Sequence, residues 1–288
     1  MTFKFRFLVK PFFFVFFIGT SSAFMAKAQS SFVIPIESKN NALALQVGAK
    51  KDLSTIYFGK KLTSTGEYAH VPAVYKQTSD YTGLLNSVYT PSGSRNLMEP
   101  AITVTHADGN NSLDLKYVSH KITDVKEGVK LLSVVLKDPV YAFEVTLFYQ
   151  VYYNEDVIEQ WTEIRHQEKG NVILHKFASA NLHLKAGSYW LKQYHGDWAK
   201  EMQPEESKLT HGIKTLDTKL GTRANLFQPS VFMVSLDKPA GEDEGDILYG
   251  ALEYSGNFRI DLEVDYQDNL RIIAGINNYA SPYTLKTG

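Results

Sequence analysis

Apolar and polar residues alternate one by one along many short segments of this 288-residue chain. The clearest case is residues 258–266, where Phe, Ile, Leu, Val and Tyr alternate with Arg, Asp, Glu and Asp. A period of two places successive side chains on opposite faces of a strand. The pattern therefore predicts a β-strand with one buried face.

Two longer alternating segments, residues 143–153 and 157–166, flank a turn sequence and predict a long hairpin. Helical periodicity is nearly absent, and many strands at this spacing indicate a sandwich or barrel. An irregular stretch at 63–96 is long for a passive connection and is a candidate functional loop. Shorter strand-like segments lie at 43–47, 54–59, 101–106, 113–120 and 130–136.

The first 28 residues follow a different pattern. Basic residues come first, an apolar run follows at 12–18, and Ala26-Lys27-Ala28 supplies a cleavage motif. This order predicts a signal peptide at 1–28 and a mature domain at 29–288 that is exported, either periplasmic or secreted. A membrane anchor is the alternative, but Gly19 ends the apolar run well short of the about 20 residues that span a bilayer. We expect no membrane association after cleavage.

Charge and composition narrow the class of protein further. Removal of residues 1–28 takes away four basic residues and leaves 26 basic against 31 acidic, a formal charge of −5. A mildly acidic chain lacks the basic footprint of a nucleic-acid binder, so no nucleic-acid partner is expected. The absence of cysteine excludes disulfides, cysteine zinc sites and a thiol nucleophile. No metal site and no cofactor are expected, because the eight histidines are scattered.

The sequence contains no local signature of hydrolytic or phosphate chemistry. His175 and His183 lie eight residues apart in a strand-like segment, so they are expected to share one face. Asp261, Glu263 and Asp265 fall on the polar face of a single strand. None of these carboxylates is expected to be desolvated.

The most suggestive local patch is "QYHGDWAKEMQ", residues 193–203. His195, Asp197 and Trp198 follow a strand at what resembles a loop. An aromatic face beside a carboxylate and an imidazole is a combination suited to binding a sugar. The simpler alternative, which the residues alone favour, is that Trp198 covers a sheet edge and Asp197 caps a turn.

Five short motifs occur in an order and spacing that resemble a known family. They are "YFGK" (57–60), Pro100-Ala101, "HGDWAKE" (195–201), "YSGNF" (254–258) and "GIN" (275–277). Together they resemble the N-terminal region of family 36 glycoside hydrolases, the bacterial α-galactosidases. Two stretches depart from the family's pattern: Asn96-Leu97-Met98 stands where the family has Asp-Phe-Arg, and Arg223-Ala224-Asn225 with Gln228-Pro229-Ser230 replaces a Ser-Ser-His … Asn-Pro-Phe run.

The resemblance implies an all-β fold, a large antiparallel β-supersandwich of the galactose-mutarotase-like two-sheet type, over residues 29–288. It also implies that both catalytic aspartates belong to a (β/α)₈ barrel that this chain lacks, so no residue here is expected to be catalytic. The implied partners are an α-galactoside oligosaccharide, bound by the full-length enzyme, and the barrel or further copies of the domain. A stand-alone carbohydrate-binding sandwich and a structural oligomerisation module are the alternatives.

Cleavage of the predicted signal peptide is directly measurable. Expression in a secreting bacterial host should give a mature protein that begins at Gln29, because the small residues Ala26 and Ala28 precede that bond. N-terminal sequencing of the exported protein checks this, and recovery of Met1 would show that the segment is retained.

Overall fold

The computed structural model describes residues 31–71, 86–94, 98–223 and 227–288. The predicted signal peptide lies outside these ranges. So do residues 72–85 and 95–96 of the irregular stretch at 63–96, and Asn96, Leu97, Ala224 and Asn225 of the departing motifs.

Strands make up most of the regular structure of the described residues, so the all-β prediction is confirmed. Two short 3₁₀ helices, Thr65–His70 and Gly221–Arg223, accompany them. Within the described ranges, no helix has the length and apolar character needed to cross a membrane. The strands are β1 (Phe32–Glu37), β2 (Asn41–Val47), β3 (Leu53–Lys60), β4 (Ile102–Thr105), β5 (Lys116–Lys126), β6 (Val129–Lys137), β7 (Phe143–Tyr152), β8 (Val157–His166), β9 (Val172–Lys185), β10 (Tyr189–His195), β11 (Gln203–Lys208), β12 (Gly212–Asp217), β13 (Val231–Leu236), β14 (Ile247–Ala251), β15 (Phe258–Val264), β16 (Asn269–Ile276) and β17 (Tyr283–Leu285).

The predicted two-sheet sandwich is wrong, because the strands form four small sheets in a propeller-like ring. The sheets have the orders β1-β2-β3, β5-β6-β7-β8, β11-β10-β13-β14 and β12-β15-β16-β9-β17, with β4 also paired to β9. Every named strand pair is antiparallel. Alternation along a strand shows that one face is buried, but not how many sheets share that core. The predicted long hairpin is confirmed as β7 and β8, which pair from Phe143 with His166 to Tyr152 with Val157.

Strand β9 is long enough to pair with different strands along its two halves and to contribute side chains to two apolar cores. Its first half pairs with β4 and β17, and its second half pairs with β16. A bulge at Ser179 separates the two halves, since Ala274 pairs with Ala180 while Gly275 pairs with Ala178. The backbones approach so closely here that a Cβ on Gly275 would lie 2.8 Å from the Ala178 Cα. A bulge bends a strand and increases its twist, which lets one long strand serve two cores.

Two apolar cores lie on either side of this bulge. Leu174 of β9 packs in the first core, whose members include residues of β1, β2 and β4 to β7. Leu184 of the same strand packs in the second, together with side chains of β10, β13, β15 and β16. Burial of large apolar side chains in both cores supplies the main driving force for folding.

The strand predicted at 258–266 is present as β15, from Phe258 to Val264, but it is covered on both faces. It lies between β12 and β16, so it is not an edge strand. Its apolar residues, such as Ile260 and Leu262, enter the second core. The opposite face carries charges, and Asp261 on that face is buried too. The predicted buried face is therefore confirmed, while the polar face is covered as well by segments distant in sequence.

A core substitution in the long hairpin should destabilise the domain strongly. Leu147 is 0% exposed and belongs to the first core, so Leu147→Ala should lower the free energy of unfolding by about 3 kcal/mol through lost burial and a residual cavity. Val140 is 82% exposed, and the matched change Val140→Ala should have an effect below about 0.5 kcal/mol. Urea unfolding of both variants checks this; equal effects would contradict the assigned core.

Candidate functional site

The predicted site residues His195, Asp197 and Trp198 lie together at the turn between β10 and β11. His195 is the last residue of β10 and pairs with Gln203. Asp197 and Lys200 exchange two backbone hydrogen bonds, of 2.9 and 3.3 Å, which close the turn. The Gly196 N–H also donates to the Phe227 carbonyl at 2.8 Å, so the base of the turn is fixed to a neighbouring segment.

The simpler interpretation of this turn is half correct. Asp197 does cap the turn, because its Oδ1 accepts a 2.7 Å hydrogen bond from the Trp198 N–H. Trp198, in contrast, covers no sheet edge and is 81% exposed. His195 is exposed as well, and its imidazole has no hydrogen-bond partner among the described residues. The turn thus presents an indole ring and an imidazole to solvent instead of forming a closed pocket.

A second polar region, which the sequence did not indicate, lies on the inner face of the sheet that contains β9, β15 and β16. Asp261 is its centre, with 1% exposure. The Asp261 carboxylate accepts hydrogen bonds from Lys176 Nζ at 3.0 Å, from Arg259 Nε at 2.9 and 3.0 Å, and from Thr215 Oγ1 at 2.8 Å. Lys176 also donates to Glu99 Oε1 at 2.6 Å, which connects the sheet to the segment that precedes β4.

These partners determine the charge state of Asp261. Burial disfavours the ionised carboxylate, but the Arg259 hydrogen bonds and the Lys176 charge outweigh burial and hold the pKa of Asp261 below its ordinary value. Asp261 is therefore ionised at neutral pH. The expectation that no carboxylate on this strand is desolvated is wrong, since the sequence does not show which segment covers its polar face.

Glu263 and Arg271 extend the charged region along the same face. Arg271 Nη2 donates to Glu263 Oε2, and Arg271 Nη1 donates to Thr90 Oγ1 at 3.1 Å. The Glu99 N–H donates to Glu263 Oε2 at 3.3 Å. Glu263 is thus paired with a cation from the adjacent strand β16 and contacts the covering segment directly, whereas Asp261 is connected to that segment through Lys176. A buried charge that keeps its partners is tolerated, whereas one that loses them is costly.

His175 and His183 do not share a face, contrary to the sequence prediction. His175 is exposed, and its Nε2 lies 2.8 Å from Thr105 Oγ1. His183 is buried, with Nε2 2.8 Å from the Ser87 carbonyl. Burial, together with the nearby Arg271 charge, lowers the pKa of His183 to about 3, so its ring is neutral at physiological pH. The alternation of β9 is interrupted twice in this stretch, since the register skips His175 against β4 and Ser179 against β16.

A shallow depression opens beside the charged region. It has a volume of about 390 Å³ and is bordered by Met98, His211, Glu263 and Tyr266 among others. His211 Nε2 lies 2.9 Å from Asp268 Oδ1, and Tyr266 is exposed. Met98 is the described residue of the Asn96-Leu97-Met98 stretch that departs from the family pattern, and it borders this depression.

The ion pairs of the charged region connect strands and the covering segment, and they do not suit proton transfer. A general acid must carry a proton near working pH. Asp261 is held ionised, and the Glu263 carboxylate is hydrogen-bonded to Arg271 and to the Glu99 amide. No cluster of three or more potential metal ligands occurs among the described residues. The alternation of apolar and polar residues does not show that these charges are buried. The signal that could indicate ion pairing is that Arg, Asp and Glu occur together on one strand.

The fold and these polar regions define the class of all-β domains in which several small antiparallel sheets bury charged groups between them. Within that class the assignment is specific. The chain belongs to the family described as the Glycosyl hydrolase family 36 N-terminal domain, which matches residues 51–286. The family predicted from the short motifs is therefore confirmed.

Curated relatives are α-galactosidases. Alpha-galactosidase 1 of Pediococcus pentosaceus is 29% identical over 214 residues, which are 69% of this chain and 29% of the relative. Alpha-galactosidase Mel36A of Lactobacillus acidophilus is 26% identical over 271 residues, which are 86% of this chain and 37% of the relative. The chain thus spans about a third of the length of the curated relatives that it matches.

Solved structures share the fold. The α-galactosidase of Lactobacillus brevis superposes with a TM-score of 0.81 at 21% identity, covering 90% of this chain and 38% of that one. A variant of the α-galactosidase AgaA of Geobacillus stearothermophilus in complex with raffinose gives a TM-score of 0.79 at 21% identity, covering 89% of this chain and 39% of that one. At this level of identity the likeness establishes the fold alone.

Loss of the Asp261 charge should destabilise the domain. Asp261→Asn leaves Lys176 and Arg259 facing a neutral group in a buried position, so we expect the free energy of unfolding to fall by about 3 kcal/mol. Asp246→Asn is the matched control, because the Lys60–Asp246 pair is exposed and 3.7 Å long, and it should have little effect. Urea unfolding at pH 7 measures both.

The effect of Asp261→Asn on stability should depend on pH in a defined way. The folded-state pKa of Asp261 is lowered, so its stabilisation is complete above the unfolded value of about 3.9 and is lost as pH falls through the folded value. The difference in stability between the unchanged protein and Asp261→Asn should be constant from pH 5 to 8 and shrink below about pH 4. A difference that persists undiminished at pH 2 would contradict this assignment.

Proposed function

We propose that this chain is the N-terminal, non-catalytic domain of an exported α-galactosidase-like enzyme that hydrolyses terminal α-galactosyl residues of oligosaccharides. The family match over residues 51–286 carries the proposal. The names of the curated relatives support the activity, and solved neighbours in complex with raffinose and stachyose support the class of substrate.

The proposal assigns chemistry and support to different parts of the enzyme. Retaining hydrolysis of a glycoside requires one carboxylate as nucleophile and a second that can carry a proton. In this domain the Asp261 and Glu263 carboxylates are bound by Lys176, Arg259 and Arg271. Their charges stabilise the sheet, and the catalytic aspartates are expected in the barrel that the family resemblance implies.

The surface near residues 276–283 is our proposed contact with that barrel or with another copy. Ile276, Tyr279 and Tyr283 are all exposed there. Tyr279 lies under the Lys219 ammonium, 5.4 Å from the ring centroid, and Tyr283 meets Phe177 edge-on at 6.3 Å. Adjacent exposed aromatic side chains are typical of protein interfaces.

A second function, a stand-alone carbohydrate-binding domain, is favoured by the exposure of Trp198. An exposed indole next to the His195 imidazole and the Asp197 carboxylate can stack on a sugar ring while polar groups bond its hydroxyls. In the leading proposal the same three residues contribute at most a loop at the rim of the full-length enzyme's sugar site.

Activity and binding assays separate the two functions. The purified chain should release no 4-nitrophenol from 4-nitrophenyl α-galactoside above background, because its buried acids are committed to ion pairs. Turnover that disappears after substitution of one carboxylate of this chain would contradict the non-catalytic role.

Raffinose titration followed by tryptophan fluorescence tests the second function. The leading proposal expects no saturable change. Saturable binding that is lost in Trp198→Ala but kept in Tyr249→Ala would favour the stand-alone binding domain instead. Tyr249 is a suitable control because it is also an exposed aromatic residue on a different strand, β14.

A further inference from the structure

Strand β5 lies at the edge of the β5-β6-β7-β8 sheet, and its outer side has no strand partner among the described residues. Every residue from 118 to 126 is exposed. The unpaired N–H and C=O groups of such an edge are a template for pairing with another strand. Natural proteins usually protect a long exposed edge, so its features need an explanation.

Strand β5 carries exposed apolar side chains on the same face of the sheet as the first core. Ile122 is 54% exposed, yet it lies opposite Leu132 of β6, which is a member of that core. Val118 and Val125 are about half exposed as well. Ile122 therefore faces the side of the sheet that is buried elsewhere, and nothing in the described chain covers it.

Two bulges limit where a partner strand can pair. The register with β6 shifts between Tyr117 and Ser119 and again between Asp124 and Lys126. Bulges and lysines at an edge discourage unspecific pairing. The six residues from 119 to 124 between the bulges keep a regular register, so a partner can add to this short stretch and not to the rest of the strand.

This regular stretch is complementary to itself. In an antiparallel pair of two copies related by a two-fold axis at Ile122, each Ile122 meets its own counterpart on the inner face. The same register sets His120 of each copy opposite Asp124 of the other, so the pair occurs twice. Cross-strand apolar and opposite-charge pairs stabilise a sheet, whereas like charges directly opposite destabilise it.

The side chains are free to make these contacts. His120 Nδ1 lies 2.7 Å from the Tyr117 hydroxyl, which fixes the ring and leaves Nε2 without a hydrogen-bond partner among the described residues. Among the described residues, Asp124 has one ionic neighbour, Lys130 at 4.0 Å, and both side chains of that pair are highly exposed. Asp124 can therefore accept a second partner without breaking a tight one.

We propose that the β5 edge is the contact of a two-fold symmetric dimer of this chain, centred on Ile122 and flanked by two His120–Asp124 pairs. A second copy is the occupant because this register of the strand against its own sequence sets each His120 ring opposite an Asp124 carboxylate and each Ile122 opposite its counterpart. The contact is short, so the dimer is weak and concentration-dependent. It does not rest on the proposed enzymatic role.

Sedimentation velocity over about 5 to 500 µM, a range suited to small interfaces, tests the dimer. The unchanged chain should pass from monomer to dimer. Ile122→Asp places two carboxylates at the axis and should weaken association at least about tenfold. Val140→Asp, an equally charged change at a site that is 82% exposed, should leave association unchanged. Circular dichroism should show that both variants stay folded, since both sites are exposed.

A charge swap tests the register itself. His120→Asp should weaken the dimer, because Asp then faces Asp124 of the second copy. His120→Asp combined with Asp124→His should restore it, because each pair is exchanged and not lost. A chain that stays monomeric at about 500 µM overturns the proposal. So does a dimer that is insensitive to Ile122→Asp, or one that is abolished by Tyr279→Ser with Tyr283→Ser instead. None of these readouts involves a sugar, so their failure is distinct from failure of the proposed function.

Discussion

The arrangement of the sheet that contains β9, β15 and β16 depends on the ion pair between Lys176 and Asp261. Its two atoms lie 3.0 Å apart, and the Asp261 carboxylate is almost inaccessible to water. A buried carboxylate must keep its cationic partners, because the loss of one leaves an uncompensated charge. Lys176 belongs to β9 and Asp261 to β15, so the pair fixes two strands that do not neighbour each other in the sheet.

The same lysine connects the sheet to the segment that covers it. Lys176 also binds Glu99, and the Glu99 amide binds Glu263, so one loop is attached at two points of the charged face. Arg271 adds a third attachment through Thr90. Carboxylates that could serve acid–base chemistry in an open cleft are bound here in ion pairs that hold the sheet and its covering segment together. For this reason the proposed function assigns the groups that would break a glycosidic bond to another part of the enzyme.

What remains exposed is distributed over three separate surfaces with different chemistry. The β10–β11 turn offers a single indole ring, the region near Tyr279 and Tyr283 offers adjacent aromatic residues, and the β5 edge offers backbone groups around Ile122. The second surface is our proposed contact with the barrel or another copy, and the third is our proposed dimer contact. The exposed side chains, more than the buried charges, therefore carry the functional hypotheses.

The sequence by itself determined the local structure and the family. Strict alternation in residues 143–153 and 258–264 is a property of the strand itself, and the turn chemistry of Asp197 acts over a few residues, so both could be read directly. The five short motifs identified the family for the same reason, since each is contiguous.

Only the tertiary structure decided the number of sheets, the bulge at Ser179 and the burial of the polar face of β15. An interruption of the register changes which side chains share a face, and alternation alone does not show where it falls; His175 and His183 were misplaced for this reason. Burial of Asp261 depends on a loop more than 150 residues earlier in the chain. Contacts over such distances follow from packing, which no local pattern of residues encodes.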